Sequence, residues 1–270
     1  MKFAICNEIF QGWSMEAVLG HCANIGYDAI ELAPFTLAKL AGDVAAAERI
    51  KIREMAARYG VEICGLHWLL AKTEGFHLNH SDPAIRKRTS EYLCDLVDLC
   101  GDLGGKTLVL GSPQQRNKLP ELTAEQAWEF ATETLAAAAR RAEERSAVIC
   151  FEPLSPVETD FINTAADALR FARQFNSPAM KIVLDVKAMC SEPEPIPNII
   201  RESAPDFAHF HANDKNLKGP GFGDVDFIPI GAALREVGYD GYVSVEVFKF
   251  DEGPEIISTR SLKYLRETIG

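Results

Sequence analysis

A chain of 270 residues, 47% hydrophobic and 25% charged, suits two ordinary domains or one α/β barrel, which takes ~250 residues. Its formal net charge of −11 argues against a polyanion as main ligand, since nucleic-acid binding needs a basic face. No apolar run approaches the ~20 residues of a membrane span, so neither a nucleic acid nor a membrane is expected as a partner. Seven scattered cysteines without a Cys-x-x-Cys pair read as reduced core thiols of a cytoplasmic protein, and not as a disulfide framework.

The chain enters a strand at once, over Lys2 to Glu8, so no signal peptide is expected. Ser14 is placed to cap a helix that runs to Ile25 and stops at Gly26. Asp28 to Leu32 forms a second short strand, Asp43 opens a helix that stops at Gly60, and Val61 to His67 is a third strand. His67, Trp68 and His77 lie in the loop that follows. Leu93, Leu96, Val97 and Cys100 have helical spacing. Lys106 to Gly111 is strand four, and Thr123 with Gln126 has the form of a capping box for a helix reaching about Arg145. Strands five to eight cover Ala147 to Phe151, Lys181 to Leu184, Phe207 to Phe210 and Tyr242 to Val245. Helices are expected at Thr164 to Phe175, just after Pro197, from Ile230 to Val237 and from Ile256 to Thr268.

Eight strands alternating with about eight helices, each strand apolar almost throughout, describe a parallel sheet covered on both faces. An internal echo supports repetition: Ile25-Gly-Tyr-Asp-Ala-Ile-Glu31 against Val237-Gly-Tyr-Asp-Gly-Tyr-Val-Ser-Val-Glu246. No low-complexity linker divides the chain. The pattern predicts an α/β fold, a single (β/α)8 TIM barrel over residues 1–270, with an open doubly wound sheet as the alternative.

The last four strands share one feature. Each buried run leads directly into a group that binds metals: Glu152, Asp185, His211 and Glu246. In a barrel these four emerge at one rim, where functional groups gather. Three carboxylates meeting there would repel one another without a cation, and a set of one imidazole and three carboxylates suits one divalent ion such as Mn²⁺, Mg²⁺, Co²⁺ or Zn²⁺. His209 shares a face with His211, either as a core histidine or as a substrate contact. Glu158 returns toward the mouth or is a solvated loop carboxylate. His67 and Trp68 follow strand three, where an aromatic ring is either a sugar platform or rim packing. Arg116 and Lys218 are placed to meet an anionic substrate group, or to pair on the surface. Gly219 to Gly223 lacks the Gly-Lys-Ser/Thr of a phosphate loop.

These segments, together with Asn163-Thr164, His209-Phe-His-Ala-Asn-Asp214 and Pro220-Gly-Phe-Gly223, resemble the xylose-isomerase-like barrel superfamily of sugar isomerases, epimerases and metal-dependent abasic-site endonucleases. The likeness covers most of the chain and is closest to ketose 3-epimerases. It implies that Glu152, Asp185, His211 and Glu246 hold one divalent metal. It implies further that Glu152 and Glu246 exchange a proton next to a sugar carbonyl through an enediolate, and that Glu158 holds substrate hydroxyls. A keto-sugar or inosose dehydratase would use the same site. A non-catalytic sugar-binding barrel is a further alternative. The chain departs from the ketose epimerases at Ala188, where they carry a histidine, and at Leu217, near which they carry an arginine. Gly111-Ser112 and Ala188 lack the extra ligands of the endonucleases and, with the acidic balance, point away from DNA repair. A small sugar as partner and a homo-oligomer as assembly fit this picture.

Overall fold

The runs of buried residues become eight parallel strands in the computed structural model, which describes residues 1–270. They are β1 (Lys2–Cys6), β2 (Ala29–Leu32), β3 (Glu62–Leu66), β4 (Thr107–Leu110), β5 (Val148–Phe151), β6 (Met180–Asp185), β7 (Phe207–Ala212) and β8 (Tyr242–Val245). Each pairs with its chain neighbours, and β1 closes on β8 with Ala4 opposite Ser244. The result is the closed (β/α)8 barrel expected from the alternation of elements, and not an open sheet.

The helices are α1 (Met15–Ile25), α2 (Ala46–Tyr59), α3 (Pro83–Leu103), α4 (Ala124–Glu144), α5 (Ala165–Arg173), α6 (Val186–Met189), α7 (Ile196–Ser203), α8 (Phe227–Glu236) and α9 (Pro254–Thr268). None is long and apolar enough to cross a membrane. The Ser14 hydroxyl accepts the Ala17 N–H at 3.2 Å, and Gly26 ends α1 with φ +95°, a conformation costly for other residues. Thr123 and Gln126 make the reciprocal bonds of a capping box at α4.

Several boundaries differ from the sequence reading, among them those of α2, β6 and β7. Asp43 does not open α2; its carboxylate accepts the Leu40 N–H at 3.1 Å across a 3₁₀ turn (Ala41–Asp43), and α2 begins at Ala46. Strands β6 and β7 run on through Asp185 and Ala212, and α6 is an extra turn capped by Asp185 itself.

The main apolar core lies between the sheet and the helices. Inside the barrel the side chains are small, with one cluster of Ala4, Ala29 and Cys64 and another of Val109, Cys150 and Val183. Strand side chains alternate with period 2, so the next inward positions toward the carboxyl end follow from these. Cys6 follows Ala4, Glu31 follows Ala29, Glu152 follows Cys150 and Asp185 follows Val183. This alternation fills the upper barrel with polar groups above an apolar floor.

Candidate metal and substrate site

Glu152 continues the β5 ladder, its N–H donating to the Leu110 carbonyl at 3.2 Å, and Glu246 continues β8 in the same way onto Ala212. Asp185 ends β6, and His211 lies opposite it in register on β7. One ligand atom from each of the four falls within 4.8 Å of all the others, and none of the four residues is more than 4% exposed. His211 Nδ1 is 3.2 Å from Glu246 Oε2 and 3.8 Å from Glu152 Oε1.

A second set of buried groups surrounds these. Glu31 Oε2 lies 2.9 Å from His209 Nε2 and 3.2 Å from His211 Nε2. His67 sits between Glu8 (Nε2 to Oε2, 3.0 Å) and Glu246 (Nδ1 to Oε1, 3.5 Å). The Trp68 indole N–H donates to Glu246 Oε1 at 2.7 Å, with Trp68 held at φ +51°, a region bulky residues rarely enter. Asp185 accepts the Ala188 N–H at 2.7 Å and the Asn213 amide. Gly111, at the end of β4, leaves space that Glu152 occupies: a Cβ there would collide with Glu152 Oε2.

Burial and neighbouring charge set the protonation states. Burial pushes the Asp185 carboxyl up to about 7; Lys187 opposes the rise, while Glu152 and Glu246 add to it. Burial would raise Glu246 too, but His211 and His67 hold it below the usual carboxylate range. Glu31 is held well below that range by His209 and His211 against the same burial effect. Burial lowers the tendency of His67 to protonate, yet Glu8 and Glu246 outweigh it and bring the imidazole up to about 10. Cys6 reaches both Glu31 and Ser244 at 3.6 Å, and burial raises its thiol well above the ordinary cysteine value.

Above the four lies a cavity of about 390 Å³, of the size that small ligands fill. Glu152, Glu246, Glu158, Lys187, Trp68 and Phe248 are among its walls. Trp68 and Phe248 stack at 5.9 Å between ring centroids. With Lys72 they also border a larger, aromatic-rich cavity of about 690 Å³ over β1 and β2.

Four of the sequence candidates lie outside this cavity wall. Arg116 does not pair on the surface: it is 1% exposed, donates to the Glu152 carbonyl at 2.6 Å and lies over the Phe151 ring. It braces the end of β5. Its guanidinium is lowered to about 10 by burial, with Glu152 and Glu158 opposing, which leaves it charged. His209 is fully buried on Glu31, which matches the core-histidine alternative. His67 is likewise fully buried, with Nδ1 3.5 Å from Glu246 Oε1. Lys218 pairs with Glu252 on the rim, outside the cavity wall. Trp68 and Glu158 do line the cavity.

Sequence reasoning missed Lys187, Glu31, Glu8 and Asn213. For Glu31 a signal existed, because both segments of the internal echo end in a glutamate, Glu31 and Glu246.

The fold and site bear comparison with known proteins. The family model described as Xylose isomerase-like TIM barrel matches residues 19–268. The D-psicose 3-epimerase of Ruminiclostridium cellulolyticum is 29% identical over 230 residues, covering 84% of this chain and 75% of that protein. A crystal structure of D-psicose 3-epimerase in the presence of D-fructose matches with a TM-score of 0.87 at 22% identity, covering 100% of both chains. The 3-keto-D-glucoside 4-epimerase of E. coli matches with a TM-score of 0.86 at 20% identity over 99% of each chain. At such identities the structural likeness speaks for the fold.

Proposed function

The chain belongs to the xylose isomerase-like TIM barrel family, and from that premise we propose that it is a divalent-metal-dependent sugar epimerase or isomerase, its residues 1–270 acting as one barrel domain. One observation carries the reading: ligand atoms of Glu152, Asp185, His211 and Glu246 converge within 4.8 Å, and two of these carboxylates also wall a cavity of sugar size. The epimerase names of the relatives support it.

The donor set fits a divalent cation. Three buried carboxylates so close together need a counter-charge, and His211 Nδ1 and Glu246 Oε2 have no hydrogen-bond partner. Glu152, Asp185, His211 and Glu246 would hold Mn²⁺, Mg²⁺, Co²⁺ or Zn²⁺. Once bound, the ion supplies Lewis-acid polarisation of a substrate carbonyl.

The rest is the work of side chains. Glu152 and Glu246 reach the cavity from strands three apart around the barrel, so a sugar between them presents different faces to each. One carboxylate takes the proton beside the carbonyl, and the other returns one to the resulting enediolate. Return from the opposite face gives an epimer; return to the adjacent carbon gives an aldose–ketose isomer. The Trp68 N–H and the imidazoles of His67 and His211 keep Glu246 ionised and fixed in direction. The stacked rings of Trp68 and Phe248 offer an apolar wall to sugar C–H groups, and Glu158 accepts from hydroxyls.

The test is isotope exchange. Protein stripped of metal and reloaded with Mn²⁺ or Co²⁺ is incubated in D₂O with ketoses, aldoses and keto-inositols. Deuterium is expected at one substrate carbon, only in the reloaded sample. No exchange with any of these sugars would sink the proposal, and growth of an enone absorbance instead would reassign the site to dehydration.

A further inference from the structure

Lys187 is the buried cation of the cavity, and the mechanism above does not use it. It stands on α6, two residues after Asp185. Its backbone N–H donates to Asn213 Oδ1 at 2.8 Å, while the Asn213 amide in turn donates to Asp185. The main chain that carries it is thereby tied to the ends of β6 and β7.

The side chain is 8% exposed. Its Nζ lies 2.6 Å from Glu158 Oε1 and 4.2 Å from the centre of the Phe248 ring. An ammonium has three N–H donors, and Glu158 is the one hydrogen-bond acceptor that this Nζ has within the protein. The other donors are left to the cavity whose wall Lys187 shares with Glu152, Glu246 and Trp68. Glu158 is fixed as well, by the Ser155 hydroxyl at 2.6 Å. Withdrawing an ammonium from water is costly unless its donors are satisfied. A buried lysine with spare donors beside a ligand-sized space is therefore built to meet oxygen atoms that arrive with a ligand. Ala188 and Leu217 bring no polar side chain to this wall.

Resting on the epimerase or isomerase reading, we infer that Lys187 is a substrate-binding and catalytic residue. Its Nζ donates a hydrogen bond to the substrate oxygen that gains negative charge as the proton leaves the neighbouring carbon. Glu158, still paired with it, accepts from an adjacent hydroxyl. The two together select a keto sugar that carries an unsubstituted hydroxyl beside its carbonyl. A deoxy or O-methyl sugar at that carbon leaves the pair unmatched. No covalent bond or electron transfer is involved; the lysine remains an ammonium throughout.

The experiment uses the Mn²⁺-loaded protein and the sugar that gives the strongest exchange in D₂O. Lys187→Met is expected to keep the metal stoichiometry and the melting temperature while kcat falls about 10²-fold, the usual loss for one donor aimed at developing charge. KM should move much less, and Lys187→Arg should recover part of the loss. Glu158→Gln should instead weaken discrimination between the sugar and its O-methyl derivative. The inference is overturned if Lys187→Met stays within about threefold of wild type in kcat. It is also overturned if Lys187→Met loses metal, or if it lowers the melting temperature and raises KM with kcat intact, since the pair would then be only a loop staple. Should Lys187→Met not fold, Lys187→Gln serves in its place under the same criteria. A wild-type protein that exchanges no sugar removes the functional reading itself, and this inference with it, a failure seen before any variant is compared.

Discussion

Strands β5 to β8 each bring one of the four proposed ligands to the rim, whereas β1 to β3 bring Glu8, Glu31 and His67, which touch those ligands or their neighbours and stay outside the four. Both sets are buried and charged, and both stand at the carboxyl ends of strands. They differ in what completes them. In the first half carboxylates and imidazoles stand side by side: Glu31 lies against two imidazoles, and His67 lies between two carboxylates. In the second half the carboxylates of Glu152, Asp185 and Glu246 converge on the single imidazole of His211, and two of them wall the cavity. Burial of charge alone therefore does not mark a proposed ligand; an excess of converging carboxylates at a cavity does.

The largest break in this division should come from Glu152→Gln. The amide keeps one oxygen donor, so most of the metal should remain by elemental analysis while solvent exchange falls by about 10³-fold or more. Activity close to wild type would remove Glu152 from its proton-transfer role. Next comes His211→Ala, which takes away the one nitrogen donor. The purified variant is expected to carry substoichiometric metal after dialysis, and a full complement of ion would mean that His211 is not a ligand. The first half should give a smaller response. Glu31→Gln leaves all four ligands in place but loosens the orientation of His211, and groups of this kind typically contribute about 10–100-fold in metal affinity or activity. A titration with Mn²⁺ would read it. A loss as severe as that of His211→Ala would erase the distinction between the halves.

Legibility in the sequence follows the same division. A buried run ending in a carboxylate or histidine is a local pattern, and it marks Glu152, Asp185, His211 and Glu246 without knowledge of register. The partners of Glu31 and His67 are set by strand order and by alternation across the closed sheet, which no local window contains. Arg116 looks in sequence like any loop arginine; only the path of the chain after β5 brings the carbonyls of Glu152 and Ile162 to it. Lys187 was hidden because its direction depends on α6, a turn that exists because Asp185 caps it. The helix caps at Ser14 and Thr123 were readable because both partners lie within three residues. Asp43 misled because the same chemistry can close a 3₁₀ turn.

The missing side chain at 111 constrains how this scaffold can change. Since even a methyl group at that point would displace the carboxylate of Glu152, a saturation library at this codon should return active clones carrying glycine alone. Position 111 is thus barred from donating an additional ligand for as long as the fifth strand keeps its own. Any route by substitution toward a richer metal centre has to start from another position on the rim.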